Sequence, residues 1–323
     1  MLTKRQLLTV CTGAWLANSS IVRAQDYPDR PIRLIVPFPA GGPTDVMARL
    51  VAQHLAATLG SVVVENKAGA GGVIGTRSVA TAEADGYTLL FAGTSTLAIN
   101  PAVYRDLRYD PVTSFVPIAM VSTSPFVLVV NPSVPAHSVG ELVSYARANP
   151  GKVNFGSAGI GTTPHMTAEL FKSLTGIDIV HVPYKGGAAA ITDVVGGQTQ
   201  MTFELTAVLL PLIRAGKLRP LAVATEAREA DLSEVPTMRE AGVPGCLASS
   251  WFGVVGPAGT PVRIVEKLNA EINRGLRSAE ITASLARLGS RPKIGTPGEF
   301  AALIAAEVLR WGNVARSLPI AVN

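Results

Sequence analysis

The chain has 323 residues, of which 48% are hydrophobic and 16% charged, and its formal net charge is +5. That length accommodates two ordinary domains, and the hydrophobic content calls for packed cores, which excludes a disordered polypeptide. No Lys/Arg-rich run with interleaved aromatics follows the first 24 residues, so the electrostatic footprint of a nucleic-acid binder is missing.

In chain order, the first element predicted is a leader. Lys4 and Arg5 precede an apolar stretch from Leu7 to Leu16, and small and polar residues then lead to Val22-Arg23-Ala24. This is the pattern of a secretory signal peptide, residues 1–24, cut after Ala24. The apolar stretch is well short of the ~20 residues a membrane span needs. A lipoprotein reading through Cys11 is disfavoured by Val10, which stands where a small residue is wanted. Removal of the leader takes three basic residues and no acid, leaving 25 basic against 23 acidic and a charge of +2. Only Cys246 then remains, so no internal disulfide forms.

Next come an apolar run, Ile32 to Val36, and apolar residues at helical spacing, Val46, Met47, Leu50, Val51, Leu55 and Leu59. Strand-like runs follow at Val62–Val64, Thr88–Phe91, Val127–Val130, Val153–Phe155, Ile179–Val182, Met201–Phe203 and Leu221–Val223, with helical patterns between most of them. Such alternation predicts an α/β fold with largely parallel sheets. Ser138 with Glu141 and Thr296 with Glu299 have the spacing of a capping box, and Thr260-Pro261 predicts a proline at the first helical position.

Two strand, loop, helix junctions are rich in glycine: IVPFPAGGPTD (Ile35–Asp45) and FGSAGIGTTPH (Phe155–His165). Glycine lets backbone N–H groups turn toward a bound group, and a helix N-terminus carries about half a positive charge, so each junction is a candidate anion cradle. Phosphate fits poorly. Gly156 to Gly161 has the spacing of a P-loop but lacks the lysine that should follow, and no G-x-G-x-x-G with an acidic ribose partner occurs. A carboxylate, which needs fewer donors, fits better.

Motifs for serine hydrolases, zinc proteases and dithiol redox chemistry are absent, and His54, His137, His165 and His181 are scattered, so no catalytic residue, metal site or cofactor is assigned. His165 is the exception worth following, because it falls in the first helical turn after the second junction, where it could donate to a bound carboxylate.

The segments YPDRPIRLIVPFPAGGPTD, VENKAGAGG, DGYTLL, NPAVY, VVNPSVPA, HVPYKGG, AGKLRPLAV, VPTMREAGVPG and WFGVVGPAGTP span the chain beyond the leader. In that order they resemble the tripartite tricarboxylate transporter receptors, also called Bug proteins. The resemblance implies a type II two-lobed periplasmic binding protein that closes on a small carboxylate between its lobes. It implies a monomeric receptor that serves a large and a small integral membrane subunit. Strand crossovers would fall near Ser122–Val127 and Ser249–Val254, dividing the chain into lobe 1 (25–123 plus 252–323) and lobe 2 (124–251). Carried over by motif, the ligand contacts are Phe38, Ala40, Gly41, Gly42, Thr44 and Asp45 on one side and Ser157, Ala158, Gly159, Gly161, Thr162 and His165 on the other.

One departure stands out. The family commonly carries Asp-Asn after the strand that ends here at Phe203, whereas this chain has Glu204-Leu205. The resemblance places Glu204 at the cleft, where it would repel a bound carboxylate unless the ligand offers a donor, water intervenes, or Glu204 is protonated or turned away. Besides a transport receptor, a ligand sensor for a signalling partner and an enzyme on the same architecture are compatible with this pattern, since fold alone does not fix function.

Overall fold

The computed structural model describes residues 27–316; the predicted leader, residues 1–24, lies outside them. Strand β1 (Ile32–Val36) is followed by helix α1 (Pro43–Leu59), β2 (Val62–Asn66), α2 (Val73–Ala80), β3 (Thr88–Gly93), a π-helical turn (Ser95–Ile99) and α3 (Asn100–Val103). A long strand β4 (Phe115–Val130) leads to α4 (Val139–Ala148), β5 (Val153–Ser157), α5 (Thr163–Thr175), β6 (Ile179–Pro183), α6 (Gly187–Val195), β7 (Met201–Leu205), α7 (Thr206–Arg214) and β8 (Arg219–Val223). Strand β9 (Ser249–Pro257), α8 (Val262–Leu276), α9 (Ala279–Arg287), β10 (Arg291–Pro292) and α10 (Pro297–Arg316) complete the described chain.

The result is a mixed α/β molecule of two lobes joined by β4 and β9. In one lobe β1 lies between β2 and β3, all parallel, and the sheet continues through β9 to β4. In the other, β5 lies parallel between β6 and β7, while β7 and β8 pair with the last residues of β4. The sheets are therefore less parallel than the alternating pattern predicts. Strand β4 runs out of one lobe into the other and β9 runs back beside it, so their nine paired positions from Phe115↔Pro257 to Pro125↔Ser249 are antiparallel.

Strand β4 is also far longer than its apolar run Val127–Val130. Ser122, Thr123, Ser124 and Pro125 interrupt the hydrophobic pattern, yet backbone pairing to β9 and β10 carries the strand through them. The hydroxyls are accommodated: Ser124 bonds Ser290, and Ser122 donates to the Met47 sulfur at 3.5 Å. Beyond Pro125 the alternation is regular, with Phe126, Leu128 and Val130 facing one core and Val127 and Val129 the other.

Helix α1 buries Met47, Ala48, Val51, Ala52 and Leu55 against β1, each large side chain worth ~1.5–3 kcal/mol. Val46, expected on that stripe, is 39% exposed, because the small residues Ala48 and Ala52 let the helix turn its other side to the sheet. Both capping pairs form: Ser138 Oγ accepts the Glu141 N–H at 3.1 Å, and Thr296 and Glu299 bond reciprocally at 2.8 and 3.2 Å. Pro261 stands one place earlier than predicted, at the N-cap of α8, and the Thr260 hydroxyl is spent on the Pro257 carbonyl at 2.8 Å. No helix among the described residues is long and apolar enough to cross a membrane.

Candidate functional site

Strands β1, β3, β5, β6 and β7 all end at one cavity between the lobes, as expected for the carboxyl edge of parallel strands. The cavity holds about 260 Å³. Gly42, Thr94, Thr162 and Gly186, the N-caps of α1, the π-helical turn, α5 and α6, all line it, and none of the four caps its own helix through a side chain. Helix N-termini leave backbone N–H groups without intrahelical partners, so this convergence offers donors to the cavity although no Lys, Arg or His among the described residues lines it.

Of the residues predicted from the sequence, Phe38, Ala40, Gly41, Gly42, Thr44, Ala158, Thr162 and Glu204 line the cavity. Asp45, Ser157, Gly159, Gly161 and His165 do not; they stand behind the two loops. Asp45 is 2% exposed, and its Oδ2 accepts the Gly41 N–H and the Arg49 Nε–H, each at 2.9 Å. Asn66 ties the same loop down, donating to Asp45 Oδ1 at 2.8 Å and to the Phe38 carbonyl at 3.0 Å. Burial pushes the Asp45 carboxyl up, but the bonds from Arg49, Gly41 and Asn66 outweigh it and hold the group below its ordinary value.

The second loop is tied in the same way. Gly161 N–H donates to His165 Nδ1 at 3.3 Å, again four residues ahead, and both glycines have left-handed backbones, φ +80° at Gly41 and +76° at Gly161. His165 is 3% exposed and stacks on His181 with ring centroids 4.0 Å apart; His181 Nε2 bonds Ser157 Oγ at 2.6 Å. Burial, aided by the neighbouring imidazole, pulls His165 down to about 3, and burial pulls His181 to about 4. His165 is thus neutral and accepts a bond from the loop, which places it in support of the loop instead of on the cavity wall.

Sequence reasoning missed Thr94, Ser95, Thr163, Gly186, Gly187, Ser250, Phe126 and Phe252 on the wall. The signal was present: β3 runs into GTST and β6 into HVPYKGG, two more strand-to-helix junctions that end at the same edge. Ser95 and Thr163 also join the lobes. Ser95 Oγ accepts the Thr163 N–H at 3.1 Å and lies 3.2 Å from its hydroxyl. Close by, the Tyr104 hydroxyl donates to the Ile160 carbonyl at 3.2 Å.

Glu204 is the ionisable residue on the wall. It is 7% exposed, and its Oε1 accepts the Leu205 N–H at 2.8 Å. Burial pushes its carboxyl up to about 7, against the opposing pull of that backbone bond. No group of three or more metal-ligating side chains gathers among the described residues. Cys246 is buried, which pushes its thiol up to about 12 and leaves it unreactive.

Residues 47–320 match the model of the tripartite tricarboxylate transporter family receptor. The chain belongs to that family. The receptor is 42% identical to Protein BugT of Bordetella pertussis over 314 residues, 96% of each chain. Among solved structures it is similar to Rpa4515 of R. palustris with adipate, at 41% identity and a TM-score of 0.86, covering 90% of the receptor and 98% of that chain. MatC of Rhodopseudomonas palustris with bound malate gives 33% identity and a TM-score of 0.85, covering 90% and 100%. The receptor is thus a solute-binding protein of a periplasmic receptor family, built as two lobes.

Proposed function

We propose that the receptor captures a small carboxylate in this cavity and delivers it to a tripartite transporter made of a large and a small integral membrane subunit. The observation that carries this reading is the convergence of helix N-termini on a cleft without a basic side chain, which suits one carboxylate held by backbone N–H groups. Relatives solved with adipate and malate support the ligand class. The N–H groups of Gly41, Gly161 and Thr163 are already engaged and Pro43 and Pro164 have none, so the donors are the remaining first-turn N–H groups behind Gly42, Thr162 and Gly186.

The lobes are assigned as 25–123 plus 252–323 and 124–251, a monomer exported to the periplasm by the leader at 1–24. The site binds without turnover. The hydroxyl–imidazole pair nearest to it, Ser157 and His181, belongs to the loop support, and Ser157 is 1% exposed.

A thermal-shift screen across mono-, di- and tricarboxylates, amino acids and aromatic acids tests the reading. A ligand at 100 times its Kd stabilises by roughly 2.7 kcal/mol, and absence of any shift across the panel overturns it. Loss of uptake of the identified ligand in a deletion strain then separates transport from sensing.

A further inference from the structure

Glu204 does more than line the wall. The first residue of α6, Gly187, packs against it: a methyl group built on Gly187 would stand 2.8 Å from Glu204 Oε2. The carboxylate therefore lies against the start of a nine-residue helix, where an anion is favoured by the helix dipole and by unpartnered N–H groups. The remaining N-termini at the cavity, those of α1, α5 and the π-helical turn, have no acidic residue on the wall beside them. Among the described residues no cation offsets Glu204, whose surroundings supply burial and one backbone N–H.

We infer that Glu204 occupies the α6 end of the cavity with the protein's own negative charge, so that the receptor selects a carboxylate whose far end is free of negative charge and offers a hydrogen-bond donor. The inference rests on reading the cavity as a carboxylate site. One end of the ligand is held at the α1 and α5 N-termini. The other meets Glu204, where an amino, amide or hydroxyl group satisfies a buried acceptor and a second carboxylate meets like charge with no basic side chain to separate them. Leu205 and Phe126 beside Glu204 suit an apolar middle portion. Leu205 stands where an asparagine would offer a further polar contact, and Gly187 leaves the room the Glu204 carboxylate needs.

The test is calorimetric titration at about pH 8.5, above the Glu204 midpoint of about 7, with probes matched in length: succinate, succinamate and 4-aminobutanoate, then adipate, adipate monoamide and 6-aminohexanoate. Within the length that binds, the amide or amine is expected to bind at least about tenfold tighter than the dicarboxylate. Glu204→Gln is expected to shrink or reverse that preference by a similar factor. A dicarboxylate bound as tightly as its matched partners by the wild-type receptor overturns the inference, whether or not the variant folds. An unchanged preference in folded Glu204→Gln overturns it as well. If none of these probes binds while another carboxylate does, the assignment of the far end fails and the carboxylate site stands. Binding of no carboxylate at all removes both.

Discussion

Asp45 and His165 occupy corresponding places in the two lobes. Each sits in the first turn of its helix, is buried, and accepts the N–H of a left-handed glycine four residues earlier. Their chemistry differs and their task is shared: they fix the loop, and the loop shapes the cavity. Removing the Asp45 carboxylate deletes its bonds from Gly41, Asn66 and Arg49, whose donors are exposed or half-buried and can turn to water, so each bond costs ~0.5–1.5 kcal/mol. Asp45→Ala is therefore expected to lower stability by about 2 kcal/mol or more and to weaken ligand binding, as read by urea unfolding and calorimetry on the same sample. Unchanged affinity in the folded variant would detach the loop geometry from binding.

The buried titratable groups pull stability in opposite directions with pH. His165 and His181 are held neutral, with folded values near 3 and 4 against an unfolded value near 6.5. The unfolded chain takes up their protons first, so the stability they contribute is present above about pH 6.5 and drains as pH falls toward 4 and 3. Glu204 is the reverse case, because its folded value of about 7 exceeds its ordinary 4.5; its contribution is full below 4.5 and is lost as pH rises through 7. Replacing Glu204 with Gln removes the second trend. Relative to wild type, the variant is expected to gain about 2–3 kcal/mol between pH 4 and pH 8.5, because a tenfold change in proton affinity between the folded and unfolded chain is worth about 1.4 kcal/mol. Urea midpoints at the two pH values measure it, and parallel behaviour of the two proteins would contradict it.

At the scale of elements, the sequence was most readable where local chemistry decides local structure. Both glycine junctions, the caps at Ser138 and Thr296 and the short buried strands follow from residue type and spacing. Strand β4 did not follow, because Ser122 to Pro125 look like a turn, and only pairing with β9 and β10, more than a hundred residues away, holds them extended. The support roles of Asp45 and His165 were likewise illegible: a polar residue in a first helical turn reads as ligand-facing until its i−4 glycine partner is seen. Tyr104, just past the end of α3, shows what such distant contacts do, since its hydroxyl reaches the Ile160 carbonyl in the other lobe's loop. Losing one such bond costs ~0.5–1.5 kcal/mol, so Tyr104→Phe should weaken ligand binding by roughly twofold to tenfold with little change in the unfolding midpoint. An equal loss in both would mark Tyr104 as a core residue instead of a clasp.

For the whole molecule, the two crossing strands and the clasps set the terms of closure. Strands β4 and β9 pass between the lobes side by side, so rotation concentrates where β4 leaves β9 for β7 and β8, near Ser124–Phe126 and the facing Ser249–Ser250. Opening must break the Ser95–Thr163 contact, beside the cavity and next to Ser250 of β9, and the Tyr104–Ile160 contact. If the ligand enters before these contacts form, they hold the closed state without guiding encounter. Removing them together in Ser95→Ala/Tyr104→Phe should therefore raise the dissociation rate by roughly tenfold or more while the association rate changes little. Stopped-flow binding separates the two rates, and small-angle scattering of the saturated variant should show a larger radius of gyration than saturated wild type. A fall in association rate with dissociation unchanged would mean that ligand meets an already closed cavity, and the clasps would then belong to the entry path instead of to retention.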